Sequence, residues 1–353
     1  MEEHLSYDRL IAAHRSQINP QPFPPNTLTF AFGLQRYEKM ALELAQSEDA
    51  LREKVLIEVN LDFQQAFAIV QSIQSLLPEQ LIHALSTRES DRIRELASRS
   101  LVQVALVKDG RDFLLESGVV EKVAALFDDR VEAIKVNAYN CLLNLSVERA
   151  GCEGTVDEGV VEILVDKLLS EKSDSVLVFT LRLIKQLLEV ANGPKKALQT
   201  AIISRLRNLL SGKDAVITEL AASNLSQLSF SYPGKVRVIE EDCVVPLAQL
   251  LGHSDAEVRA TATLALGSLT IEKAAKVILI EQDYLDQIAG LLYDESTQVR
   301  LNTVQLIANL AEHPIAKAKY QESLEKLREM QASDSTLIRK FAKKTIGVIT
   351  WLP

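Results

Sequence analysis

Aromatic side chains are scarce in this chain of 353 residues: they make up 5% of it, with a single tryptophan, Trp351. Small and medium apolar residues fill the apolar share instead, and these let helices approach closely. Cysteine is scarcer still, at Cys141, Cys152 and Cys243. With no CxxC and no histidine near them, they form neither a zinc spacing nor a disulfide framework. Cys141, at a small position of its unit, is expected as a buried free thiol, and the chain as built for a reducing compartment. No run of 18 apolar residues occurs, so no membrane span is expected. The opening MEEHLSYDRLIAAHR has no charged region followed by an apolar one, so it is not expected as a secretory signal. No lipidation motif is evident at either end.

An excess of base is also missing. Lys and Arg number 39 against 48 Asp and Glu, for a net charge of −9. The acidic residues are spread along the chain, which argues against binding a phosphate backbone and so against a nucleic-acid partner. The histidines, His4, His14, His83, His253 and His313, are scattered. No HExxH, G-x-S-x-G, P-loop or GxGxxG occurs. No catalytic residue, metal ligand or cofactor is assigned, and a small-molecule substrate is not expected.

What the chain does have is a twelve-residue pattern, apolar-x-x-x-small-x-x-small/apolar-apolar-x-polar-apolar. It reads Ile134, Ala138, Cys141, Leu142, Asn144, Leu145 in one unit and Val258, Ala262, Ala265, Leu266, Ser268, Leu269 in another. The small residue, or its stand-in, falls at Val55, Ala97, Ala138, Thr180, Ala221, Ala262, Thr303 and Ala342, in steps of 39 to 42. A period near 40 implies stacked helical units that bury their faces against neighbours, and such arrays are usually binding surfaces.

Each unit reads as three pieces. A short first helix, as in Arg111–Glu116, follows the previous loop. A second starts after glycine or an acid, as in GVVEKVAAL (118–126), GVVEILVDKLL (159–169) and DCVVPLAQLL (242–251). The third carries the pattern. Polar turns before the third helices contain Asp128-Asp129, Ser173-Asp174, Lys213-Asp214, Ser254-Asp255, Asp294-Glu295-Ser296 and Ser333-Asp334. They are expected to cap those helices, with Ser254 and Glu257 as a capping box. Pro78 and Pro246 are placed at the starts of second helices, and Pro194, Pro233 and Pro314 in loops after third helices. Gly118, Gly159, Gly212 and Gly252 are assigned to turns where positive φ is useful. Residues 1–27, with NPQPFPP at 19–25, read as an extended arm, and 28–353 as one repeat array. Phe23 is a candidate anchor in that arm.

These features resemble the armadillo repeat over about residues 37–353, as roughly eight units. The HEAT repeat is the near alternative, with Val258-Arg259 and Val299-Arg300 in its manner. The resemblance implies an all-α superhelical solenoid that binds extended peptides on the concave face of its third helices. The nuclear-import type uses a tryptophan and an asparagine four residues apart. Here the tryptophan position holds Arg99, Asn140, Arg182, Ser223, Leu264 and Gln305, and the asparagine position Gln103, Asn144, Gln186, Gln227, Ser268 and Asn309. The amides survive in part and the aromatic shelves do not, so import-type cargo is not expected.

The segment at 24–63, with Ala31-Phe32-Gly33 and Arg52-Glu-Lys-Val55-Leu56, is similar to the opening of the radial spoke head 14 family. That resemblance implies a non-enzymatic structural subunit of the ciliary or flagellar axoneme, a cytoskeletal site, with radial spoke subunits as partners. The alternative is a soluble adaptor or chaperone that captures a client peptide in the groove. Two partner-binding surfaces are expected. One is the third-helix face, at Arg99, Asn140, Asn144, Arg182, Gln186, Gln227, Gln305 and Asn309. The other is the basic C-terminal cluster Arg339, Lys340, Lys343 and Lys344.

Overall fold

A helix can pack closely on its neighbour only where its side chains are short, so the recurring small residue should mark the contact between repeats. In a computed structural model of the chain, which describes residues 34–351, all eight of these positions are at most 1% exposed. The expected arm at 1–27, with Phe23, lies outside the described residues. The described residues are helical throughout, with no strand among them.

The pattern-bearing third helices are numbered here in order: α1 (Asp49–Asp62), α2 (Asp91–Leu106), α3 (Glu132–Leu145), α4 (Asp174–Leu187), α5 (Ala215–Leu228), α6 (Ala256–Leu269), α7 (Thr297–Leu310) and α8 (Thr336–Thr350). The chain divides into two compact units, one ending at Leu145 and the other beginning at Ser146. In the first, α2 packs between α1 and α3; in the second, α4 to α8 pack each on the next.

The stripes that drive this packing are apolar at helical spacing. In α6 they are Val258, Ala262, Ala265, Leu266 and Leu269, none of them exposed. Thr180 and Thr303 take the small position with their hydroxyls satisfied. They donate to the carbonyls of Val176 and Val299, one turn back, at 2.9 and 2.7 Å.

Helix starts follow the polar turns, with corrections. Asp214 and Ser296 cap α5 and α7 as expected. At α6 the cap is Asp255, accepting from the N–H groups of Glu257 and Val258 at 2.8 and 3.3 Å, so the Ser254–Glu257 box does not form. The α8 cap is Ser335, beyond the Ser333-Asp334 pair. The short first helix begins at Lys108, not Arg111.

Pro194, Pro233 and Pro314 lie inside the first turns of first helices (Asn192–Ala197, Tyr232–Glu240 and Pro314–Tyr320), not in the loops before them. The first turn lacks intrahelical N–H partners anyway, so proline fits there. Gly118 and Gly159 have φ of 62° and 79° just before second helices. Asp242 (55°) and Asp283 (60°) take the same left-handed place, whereas Gly212 and Gly252 do not.

Polar side chains tie neighbouring third helices together within each unit. Asn302 donates to the Ala260 carbonyl at 2.8 Å, Asn224 to that of Leu181 at 3.1 Å, and Thr345 to that of Val304 at 3.0 Å. In the first unit Asn60 reaches the Leu96 carbonyl at 3.0 Å. An arginine three residues before the small position adds ion pairs between repeats. Arg52 meets Glu89 at 2.6 Å, Arg94 meets Asp129, and Arg259 meets Asp294 at 2.7 Å.

Candidate functional site

The amide row of the third helices was expected to face a partner. Much of it first bonds the protein itself. Asn309 donates to the Gly267 carbonyl at 2.8 Å, Asn144 to that of Val102 at 3.4 Å, and Gln103 to that of Asn60 at 3.3 Å. Ser268 repeats the move with its hydroxyl, to Ser229 at 2.9 Å. An amide has two donors and an acceptor, so each of these Asn and Gln side chains holds the stack and keeps bonding capacity for a ligand.

The expected residues fall into two groups. Arg99 on α2 and Asn140 and Asn144 on α3 share the face of the first unit, with Arg99 exposed and the other two half-buried. Arg182 and Gln186 on α4, Gln227 on α5, and Gln305 and Asn309 on α7 belong to the second.

The second unit has a cavity of about 290 Å3 over α6, α7 and α8. Gln305 and Asn309 of α7 and Lys344 of α8 are among the residues that line it. Leu264, at the position where import-type repeats carry tryptophan, lines it 39% exposed. So do Phe230 and Ile271, each 60% exposed, and Phe341 of α8. Lys235 lines the edge beside Phe230.

Phe230, Ile271, Lys235 and Phe341 were not foreseen as binding residues. A signal was present for two of them. The position two residues beyond the last leucine of the pattern reads Val147, Glu189, Phe230, Ile271 and Glu312, in steps of 41 or 42. Apolar residues that recur outside the buried stripe have no reason to be there from core packing.

The four C-terminal basic residues differ in their surroundings. Arg339 turns back on its own loop, donating to the carbonyls of Ser333 and Asp334 at 2.6 and 2.9 Å. Arg259 and Arg300 make the same bonds at the starts of α6 and α7. Lys340, Lys343 and Lys344 remain exposed on α8, with no ion pair among the described residues.

The thiols are buried: Cys141 and Cys243 are pushed up to about 12 and Cys152 to about 11, chiefly by loss of water. Two histidines serve the backbone. His253 accepts from the Asp255 N–H at 3.0 Å and His313 from that of Ile315 at 3.3 Å. Among the described residues no group of three His, Cys, Asp or Glu could hold a metal, and no helix is long and apolar enough to cross a membrane.

Engineered and designed proteins are among the solved structures that share this architecture. One engineered protein superimposes with a TM-score of 0.75 at 17% identity, over 90% of this chain and 89% of its own. A designed armadillo repeat protein, crystallised with the peptide (KR)4, gives 0.60 at 20% identity, over 65% of this chain and 99% of its own. A computationally designed armadillo repeat protein made for modular peptide recognition gives 0.59 at 22%, over 65% and 99%. At such identities the likeness concerns fold alone, and the fold is an all-α armadillo-type repeat array. A family described as dynein axonemal assembly factor 5-like, TPR repeats, matches residues 89–313, well over half the chain. The period near 41 and the three helices per unit exceed the two helices in 34 residues of a TPR proper. They fit the wider class of helical solenoids to which both belong. By that match, this chain belongs to the dynein axonemal assembly factor 5-like repeat family.

Proposed function

We propose that this protein is a non-enzymatic adaptor that holds an extended segment of a client protein during assembly of axonemal machinery. The groove over α6 to α8 carries this reading. It combines exposed apolar side chains, which anchor a ligand by leaving water, with amides at a regular rise, which meet a ligand backbone. The family match supports the assembly role, and two designed relatives in fold are described by the peptides they take. Within the second unit the faces of α4 and α5, with Arg182, Gln186 and Gln227, extend the contact, and the face of α2 and α3 in the first, with Arg99, Asn140 and Asn144, is a partner surface of its own.

The second reading is a structural subunit of the radial spoke, favoured by the similarity of residues 24–63 to the radial spoke head 14 family. The two readings differ in where the protein ends up. An adaptor leaves with the detergent-soluble cytoplasm of a ciliated cell. A spoke subunit stays with the axoneme through detergent and comes off, if at all, with spoke proteins in salt.

The test joins fractionation to a photo-reactive residue placed at Gln305. Detergent release together with a cross-link to one defined client segment supports the adaptor. Retention on the axoneme overturns it in favour of the spoke subunit. Cross-linking that is equally strong from a control position on the opposite side of α7 removes the groove from the argument.

A further inference from the structure

A protein with a net charge of −9 has carboxylates over most of its surface, yet none lines the α6–α8 groove. The ionisable residues in its wall are Lys235 and Lys344. Neither has an ion-pair partner among the described residues. One sits in the first helix Tyr232–Glu240 ahead of α6, the other on α8. The same lining includes Leu264, Ile271 and Phe230.

The lining adds a separate observation. Gly267 occupies the interior of α6, where alanine is favoured by about 1 kcal/mol. Its φ is not in the left-handed range, and a Cβ built there meets no atom within 4 Å. Neither backbone conformation nor packing within the protein calls for glycine. Its effect is to leave the helix backbone bare in the lining of the groove, where a ligand main chain can come closer than any side chain would permit.

Resting on the client-capture reading, we propose that this groove takes an acidic extended peptide that carries apolar side chains. Its carboxylates meet Lys235 and Lys344, its apolar groups enter between Phe230, Leu264 and Ile271, and its backbone runs over Gly267 beside Gln305 and Asn309. Opposite charge steers such a ligand and excludes basic ones, as burial of apolar groups supplies the holding contact. The preference is the reverse of that expected for a (KR)4-type ligand.

The test uses the full chain and short fluorescent peptides of alternating Asp-Leu, Ser-Leu and Lys-Leu, followed by anisotropy with rising salt. The Asp-Leu peptide is expected to bind roughly tenfold tighter than Ser-Leu and to weaken as salt rises, with Lys-Leu weakest. The double charge reversal Lys235→Glu with Lys344→Glu should abolish that order while the melting temperature holds. Gly267→Leu should block all three peptides, and Gly267→Ala should weaken binding while the fold gains stability. If Ser-Leu and Asp-Leu bind equally and Gly267→Leu blocks both, the acidic preference is overturned and client capture survives. If no peptide binds, or Gly267→Leu changes nothing, both readings of the groove fall.

Discussion

Arg259 grips Asp294 with two parallel bonds, Nε to Oδ2 at 2.7 Å and Nη2 to Oδ1 at 3.0 Å. Its third nitrogen, Nη1, holds the carbonyls of His253 and Ser254 at 2.8 and 2.9 Å. One guanidinium therefore closes its own loop and fastens the next. Asp294 in turn accepts the Ser296 N–H at 2.8 Å, tying the bridge to the start of α7. Planar, five-donor geometry is needed for this, so lysine cannot replace it.

The pair is largely buried, so losing one partner strands the other. Asp294→Asn or Arg259→Met is expected to cost about 3 kcal/mol in urea denaturation. The two changes together should cost less than their sum. The arginine holds the Asp294 carboxyl below its usual range, chiefly through their hydrogen bonds. Its contribution is thus present above the ordinary carboxylate value and lost as pH falls through the lowered one. Acid titration of stability should show that loss in the parent chain and not in Asp294→Asn.

Glu43 works in the opposite sense. Burial pushes its carboxyl up to about 7, against the pull of Lys39. The folded chain therefore holds that proton more tightly than the unfolded one. Stability should decline as pH rises from about 4.5 toward 7 and level off above. Part of the side chain meets water, so the amplitude is on the order of 1 kcal/mol. Glu43→Gln should flatten the slope; an unchanged slope would assign it to other groups.

Two glycines separate backbone strain from crowding. At Gly118 an added Cβ meets nothing within 4 Å, so Gly118→Ala carries only the left-handed penalty, about 1 kcal/mol. At Gly234 the Cβ would lie 1.9 Å from the Leu228 carbonyl oxygen, so Gly234→Ala must move a helix and should cost more. Asp283→Gly, at a φ of 60°, should raise the melting temperature.

Thiol reagents offer a further check. Cys141, Cys152 and Cys243 are buried and their thiols raised, so labelling at neutral pH should be slow and should track unfolding. Fast labelling of the native chain would place at least one of them outside the packing described.

The repeat was legible because it is a packing requirement written eight times. Ala97, Ala138, Ala221 and Ala262 can be small for one reason, and periodicity averages out exceptions such as Val55. Single capping residues were less legible: Ser254 and Asp255 are both good caps, and only the path of the loop chooses between them. The groove was half legible. Gln305 and Asn309 follow from the repeat register, and Phe230 and Ile271 from a position that recurs beyond the third helices, but Lys235 reaches it from a first helix, where no pattern marks it. Arg339 looked like one cation among four because its bonds to Ser333 and Asp334 depend on the turn of a loop. Its equivalence to Arg259 and Arg300 was present in the spacing all along.

The polar ties between third helices join residues 36 to 43 positions apart, as with Asn60 and Leu96 or Asn224 and Leu181. A repeat thus finds its partner as soon as one more repeat has left the ribosome. Synthesis can add finished layers one after another, each closing the amides and arginines of the last. A client that pairs with α6 to α8 would meet its groove only once α8 has emerged, so capture waits for the eighth of these layers.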